Sequence, residues 1–399
     1  MKKIALVGAS TRVRAFVRTL KKDYAATHRI VAVMDPDAGK TRAFVESMEL
    51  PAACYRDFDL MCREEKPDIL LISTVDCYHR DFVVKGLDAK ISVLCEKPLC
   101  TTLEHCRDIL LARARNPDVH AATMHNARYH AAARRVKQLL DDGAIGRVNS
   151  VHYAEMLDFR HGASYFRRWN SRRVFSGGLQ IHKSSHHFDK LNWWLSSKAV
   201  EVTAAGGLRR YGAAASPFRG ERCQTCRHAA ECRFAATPEY YRDYDICYQY
   251  ADADSYKPDG CVFSPDIDIE DFLSAGIRFA NGVYANYTLA AHCNFEGEDI
   301  FFEGDKGRLE MRRRIVPGRA QEASLLLHRF GTADPEEIAV QAEDGSHGGA
   351  DARLCEDLFG GNASGRLASL DDGIQAVLTG LAVSLSLRDG KAVHVQSML

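Results

Sequence analysis

KIALVGASTRV, Lys3 to Val13, is the stretch that decides the fold. Ile4 to Val7 form an apolar run with little alternation, as expected of a strand buried on both faces. Gly8 closes the run, and Val13, Phe16, Val17 and Leu20 follow at helical spacing. Strand, glycine turn and helix in that order open a βαβ unit. A dinucleotide fingerprint would place glycine at positions 8, 10 and 13, for the tight turn, the approach to pyrophosphate and helix–strand packing. Only Gly8 is present, with Ser10 and Val13 in place of the others. A serine hydroxyl can still donate a hydrogen bond, although its Cβ takes room beside the phosphates. Gly8, Ser10, Thr11 and Arg12 are the expected phosphate loop.

The same pattern continues outward. HRIVAVMD (28–35), PDILLIST (67–74), ISVLCEKP (91–98) and VHAATMHN (119–126) are further buried strands, with helical segments between them. Such an alternation predicts a Rossmann-type doubly wound parallel sheet over residues 1–125. Asp35 ends the second strand, where an acid binds adenosine ribose hydroxyls and favours NAD over NADP. Ser73–Val75 and Glu96–Pro98 fall at the carboxyl edge, where ligands of this architecture bind. Lys97, held beside Pro98, is placed to touch a substrate hydroxyl.

After Asn126 the pattern changes. VNSVHYAEML, AVEVTAAG, AGIRFANGVYANYTLAAH, DIFFEGDKGRLEMR and EASLLLHRF alternate, and FANG (279–282) and GDKG (304–307) are hairpin-type turns. Residues 126–399 are therefore expected to form an α+β domain with a large, mostly antiparallel open sheet, giving an α/β protein as a whole. Residues 209–264 read as an ordered Tyr- and Cys-rich insertion, and 333–351 as an exposed acidic loop.

The chain has 399 residues, with 53 Lys+Arg against 53 Asp+Glu. That balance argues against nucleic-acid binding, which needs a basic face. Ile4–Gly8 is too short for a signal-peptide core, and no apolar run approaches the ~18 residues of a membrane span. A cytoplasmic protein without membrane contact is expected. Its 13 cysteines then read as free thiols or ligands, with Cys54, Cys62, Cys95 and Cys106 as small core residues. Cys223-x2-Cys226-x5-Cys232 suggests a structural zinc if a fourth ligand arrives from His228, Cys247 or Cys261; free cysteines in an irregular insertion are the alternative.

GGLQIHKSSHHFDKLNWW, residues 177–194, is dense in histidine. On one helix, His182, His186, Asp189 and Trp193 would share a face, with Lys183 and His187 on a neighbouring stripe. His-x-x-x-His is a common zinc pair, but the H-E-x-x-H motif has Glu where Lys183 stands. Acid–base work or substrate contact is the favoured reading, because an imidazole titrates near neutral pH. Asp189 could fix one tautomer. Arg167, Arg168 and Trp169 could border a sugar site, while Trp193 and Trp194 read as core.

Several motifs recur in a fixed order. They are Gly8-x3-Arg12, an acid after strand 2, STV-x3-His at 73–79, EKP at 96–98, HNARY at 125–129, DDGAIG at 141–146, and the GG…HKxxHHFD run. YFRRWN (165–170), the cysteine insertion and CVF (261–263) accompany them. This set resembles the Gfo/Idh/MocA oxidoreductases, relatives of glucose–fructose oxidoreductase and inositol dehydrogenase. The resemblance implies an NAD(P)-dependent enzyme acting on a sugar, cyclitol or glycoside; an antiparallel sheet with one exposed face often pairs with another subunit, so a homo-oligomer is expected. Lys97 is then the lysine of EKP and His186 the substrate-site histidine, with His182 where the family usually has Asp. Gly8, Ser10, Thr11, Arg12, Asp35, Thr74, Val75, His79, Glu96, Lys97 and Asn126 would contact cofactor. Lys183, Arg128, Tyr129, Arg168, Trp169 and Asp189 would contact substrate, and Cys223, Cys226, Cys232 and Cys261 a zinc. Asn170 replaces the usual His. Two alternatives stand beside a net dehydrogenase. One is a glycosidase that uses NAD transiently; the other is a non-catalytic sensor, motivated by Ser10 and Val13.

Overall fold

The computed structural model of the chain describes residues 1–245, 247, 256–315, 322–341 and 343–399. Part of the Tyr- and Cys-rich insertion lies outside the described residues.

The first sheet holds β1 (Lys2–Val7), β2 (His28–Met34), β3 (Ala53–Tyr55), β4 (Ile69–Ile72), β5 (Ser92–Glu96) and β6 (Ala121–Met124). Its order is β6-β5-β4-β1-β2-β3, all parallel, so the chain switches direction between β1 and β4. Alternate residues serve opposite faces. Ile4 and Leu6 pack against Val13, Phe16 and Val17 of the helix Val13–Asp23. Ala5 and Val7 pack in the other core with Val83, Leu87 and Ile109. Both faces are dry, which is why β1 reads as a continuous apolar run.

The second half of the chain also contributes to this unit. β15 (Ala368–Ser369) adds antiparallel to β6, and the helix Ala350–Gly360 lies on Val13–Asp23, with Leu354 and Leu358 buried there. The segment 333–351, read from sequence as an exposed acidic loop, therefore ends in a buried residue, Asp351.

The second sheet has nine strands in the order β14-β13-β12-β11-β7-β10-β9-β8-β16. Its members are β7 (Val148–Asp158), β8 (Ala199–Gly207), β9 (Phe272–Phe279), β10 (Tyr284–Cys293), β11 (Glu296–Gly304), β12 (Gly307–Ile315), β13 (Glu322–Arg329), β14 (Glu336–Ile338) and β16 (Val393–His394). All pairs are antiparallel except β7 with β10. The two expected hairpin turns join β9 to β10 and β11 to β12. The helix Leu370–Asp389 is, by length and composition, long and apolar enough to cross a membrane, yet 61% of it is buried. It packs on β8 and on the helix Ser185–Leu195.

Described residues of the insertion form short turns, the helix Pro238–Asp243 and one bridge, Arg222 to Gly260. Cys95 and Cys106 are core, as expected, but Cys54 is exposed and Cys62 half-buried.

Candidate active site

The carboxyl edge of the parallel sheet carries the phosphate loop. Gly8 has φ +101°, and a Cβ there would lie 2.6 Å from the Ser73 carbonyl oxygen, so only glycine fits. Ser10 is accommodated differently. Its hydroxyl turns back to accept from the Val13 N–H (3.3 Å) and to bond the Ser73 hydroxyl (2.7 Å). Val13 is fully buried between helix and sheet. Both missing glycines are thus absorbed without closing the loop. The helix Val13–Asp23 has no acidic residue in its first turn, which leaves its positive end suited to an anion. Asp35, nearly buried, accepts from the Ala9 N–H (3.0 Å) and pairs with Lys40 (2.8 Å). A tight turn, a helix N-terminus and an acid at the end of β2 fit a dinucleotide.

Arg12 makes a different contact from the one expected of it. Its Nε donates to Glu96 (2.8 Å), and its two Nη groups grip the Asp351 carboxylate at 2.8 Å each. Asn126, Ser346 and His347 also bond Asp351. Arg12, Glu96 and Asn126 therefore clamp the helix Ala350–Gly360 onto the phosphate loop. Nothing in the periodicity of 333–351 marks Asp351 for this role. Thr74 and Val75 are half-buried at the end of β4. His79 is buried with Nδ1 2.7 Å from the Pro98 carbonyl and Nε2 3.2 Å from that of Thr74. It braces the EKP loop from behind.

The histidine run is not one helix. Gly177 (φ +72°) and Gly178 (φ +93°) let the chain turn into Leu179–His182, and a second helix starts at Ser185. Between them Lys183 pairs with Glu155 (3.1 Å) and Ser184 bonds the Tyr287 hydroxyl (2.8 Å). The shared face predicted for His182, His186, Asp189 and Trp193 is therefore broken. Lys97 reaches across from the parallel sheet, and its Nζ donates to the His182 carbonyl at 2.9 Å. His182 Nδ1 lies 2.5 Å from Asp76 Oδ2, and its Nε2 faces the Asn170 amide at 3.2 Å. Trp169 stands edge-on to the His182 ring, centroids 5.4 Å apart. His186 packs edge-on to His125 at 5.9 Å, and its Nδ1 has no hydrogen-bond partner. Lys97, His182, His186 and Trp169 are all partly exposed, whereas Asp76 and His125 are buried behind them.

Burial dominates the electrostatics. It lowers Lys97 to about 8 against the pull of Asp76 and Glu96, and raises Asp76 to about 7. His182 and His186 are pushed well down, by burial first and then by Lys97. Both imidazoles are therefore neutral, with the Lys97 ammonium on the His182 carbonyl beside them.

Several expected contacts are engaged elsewhere. The guanidinium of Arg128 forks onto Asp189 (2.7 and 2.6 Å), and both are buried. Asp189 is thus Arg128's partner, and the acid that meets His182 is Asp76. Tyr129 is buried and donates to Asp357 (2.7 Å). Lys183 is held by Glu155. Arg168 donates to the Ser164 carbonyl and the Tyr244 hydroxyl, while Arg167 turns into the insertion. Trp194 is core, donating to the Ala133 carbonyl. Glu155, His187 and Glu298 lie close enough to hold a metal, but Lys183, Lys190 and Arg313 already neutralise the two carboxylates. It is an ion-pair cluster. Sequence reasoning missed Asp76, Asn170's contact and Asp351; an acid just past STV at a sheet edge was the available signal for the first.

A dinucleotide loop beside a lysine and paired imidazoles defines a two-domain, NAD(P)-dependent oxidoreductase. Comparison with known proteins agrees: the model "Oxidoreductase family, NAD-binding Rossmann fold" matches residues 2–123, and "Oxidoreductase family, C-terminal alpha/beta domain" matches 137–395. The chain belongs to the Gfo/Idh/MocA oxidoreductase family. "Putative oxidoreductase YteT" of Bacillus subtilis is 32% identical over all of this chain and 99% of its own length. The 1,5-anhydro-D-fructose reductase of Ensifer adhaerens is 27% identical over the full length of both. Among solved structures, a levoglucosan dehydrogenase in complex with NADH and L-sorbose superposes over the full length of both chains with TM-score 0.72 at 15% identity.

Proposed function

We propose that the chain oxidises or reduces a secondary hydroxyl or keto group of a sugar, cyclitol or glycoside, using NAD in preference to NADP. The observation that carries this reading is the Lys97 ammonium at the carboxyl edge of the parallel sheet, 2.9 Å from the His182 carbonyl. When bound, the nicotinamide accepts or returns hydride at the reacting carbon. Lys97 hydrogen-bonds the reacting oxygen and stabilises its developing charge. His186, neutral and partly exposed, takes the hydroxyl proton, with His182 beside it. Asp76 holds His182 in the tautomer whose Nε2 is a lone-pair acceptor. Trp169 offers an apolar edge on the same side. The names of the two sugar-acting relatives above support the substrate class. Asp35, an acid at the end of β2 where ribose hydroxyls bind, supports NAD, with Lys40 as its ion-pair partner.

Lys97→Met tests the reading. Turnover with a responsive sugar should fall at least about a hundredfold, while NAD titration by fluorescence stays within a few-fold of the parent. Unchanged turnover would remove Lys97 from the chemistry. The two imidazoles beside Lys97 exceed what one proton transfer needs, and so favour a second reading, redox-neutral glycoside cleavage. Net NADH absorbance at 340 nm supports the first reading; sugar release without it supports the second.

A further inference from the structure

We propose that Cys223, Cys226, Cys232 and Cys261 hold a structural zinc ion that fastens the insertion against the substrate side of the protein. The four cysteines line one cavity of about 20 Å³, whose other walls are Arg222, Ala229, Phe234, Ala235, Val262 and Phe263. That is room for one water-sized occupant, and sulfur is the only ligand chemistry those walls offer to a cation. The backbone brings the four together from separate turns. Cys223 and Cys226 flank a tight turn, with the Cys226 N–H donating to the Cys223 carbonyl. The Arg222–Gly260 bridge, with Cys223 N–H on the Asp259 carbonyl and Cys261 N–H on that of Glu221, sets Cys261 beside the turn. A Cβ at Gly220 would lie 2.8 Å from the Cys226 sulfur, so the chain passes this sulfur too closely for any larger residue. All four thiols are free.

An independent observation comes from Arg167. It is 8% exposed, and its Nη1 points at the Cys223 sulfur from 3.8 Å. Its remaining contacts are the Phe234 carbonyl (2.6 Å) and the face of Tyr240 (5.1 Å). Among the described residues no carboxylate lies within ion-pair distance of it. A buried guanidinium needs a counter-charge, and four thiolates around one zinc carry a net charge of 2−. Among the described residues no three of these sulfurs lie within 4.8 Å of one another. Ligation, with Zn–S near ~2.3 Å, requires the four sulfurs to move inward into the cavity they line.

The consequence for the protein lies one turn away. Arg168, next to Arg167, is held by the Tyr244 hydroxyl, and the Trp169 N–H by that of Tyr256. Both tyrosines belong to the insertion, whose described part is mostly turns and short helical segments. Fastening it at the cysteines fixes the tyrosines that hold Arg168 and Trp169; this last step rests on the function proposed above, whereas the metal site does not.

The test is made on the full chain. Protein purified without chelator should contain one zinc per chain by plasma mass spectrometry. Exchange with cobalt should give the sulfur-to-cobalt charge-transfer band and the intense visible bands of tetrahedral thiolate coordination. Zinc release on thiol titration should expose four additional reactive cysteines. Cys223→Ser/Cys261→Ser should lose metal and cobalt bands while NAD still binds. If that variant does not fold, the spectrum of the parent decides alone. Metal-free protein that takes up neither zinc nor cobalt, metal retained in the double variant, or a disulfide among the four overturns the proposal. None of these readouts needs a sugar substrate, so they stand apart from the fate of the oxidoreductase reading.

Discussion

Asp76 shows how one residue sets the chemistry of its neighbours. It lies just past β4, buried, and bonds His182 while raising the pKa of Lys97 against burial. Asp76→Asn removes that charge, so the Lys97 pKa falls below about 8. If Lys97 acts as an ammonium, activity is lost as pH rises through its pKa, and the alkaline limb of the pH–rate profile moves to lower pH. We expect kcat to drop at least about tenfold with the NAD dissociation constant unchanged; an unshifted alkaline limb would make Asp76 merely structural. The role was hidden in sequence because it depends on a residue 106 positions away. EKP and the ordered motifs picked out Lys97 and His186, whose roles are those proposed above. The partners that tune them were not legible, since side-chain pairing across two domains leaves no periodicity.

At the scale of elements, the first strand–turn–helix unit was legible almost to the residue, because burial on both faces leaves an uninterrupted apolar run. Gly8→Ala should disable it. The substituted residue meets both a left-handed φ and the Ser73 carbonyl, costing about 2–4 kcal/mol together, read as a lowered urea midpoint and lost NAD binding. The histidine segment was less legible. Its i, i+4 spacing implied one helix, but Lys183 and Ser184 are drawn toward Glu155 and Tyr287, and tertiary pairing overrode the local pattern. The helix Ala350–Gly360 is another such case. Its hold on the phosphate loop is the Arg12–Asp351 fork, with Asp351 3% and Arg12 25% exposed. Asp351→Ala leaves Arg12 facing only Glu96 and should cost about 2–3 kcal/mol, toward the low side for a buried pair because Arg12 is partly wet. Equilibrium unfolding should register that loss, and NAD affinity should weaken with it.

Across the whole molecule, five histidines held neutral, His125 and His187 buried and His130, His182 and His186 half-buried, make the protein acid-sensitive. Burial lowers His125, His182, His186 and His187, and pushes His130 down to about 3. In the unfolded chain each titrates near ~6.5. Below that pH the unfolded state binds protons that the folded state refuses, so these groups subtract stability as pH falls. Asp76 and Glu155, each raised to about 7 by burial, act the other way: folded, they hold protons that unfolded carboxyls release. Five imidazoles against two carboxyls leave the unfolded chain with the larger proton count between about pH 5 and 6.5, and each net proton is worth roughly 1.4 kcal/mol per pH unit. Glu296 and Asp351, lowered by their partners despite burial, withdraw further stability as pH falls below the ordinary carboxylate range. Urea midpoints measured at pH 7.5 and 5.5 should therefore differ, with the acid value lower. His186→Asn should narrow the gap between them. A midpoint that is flat or higher at pH 5.5 would mean that the imidazoles are charged in the folded protein, and with it His186 would lose its standing as the proton acceptor.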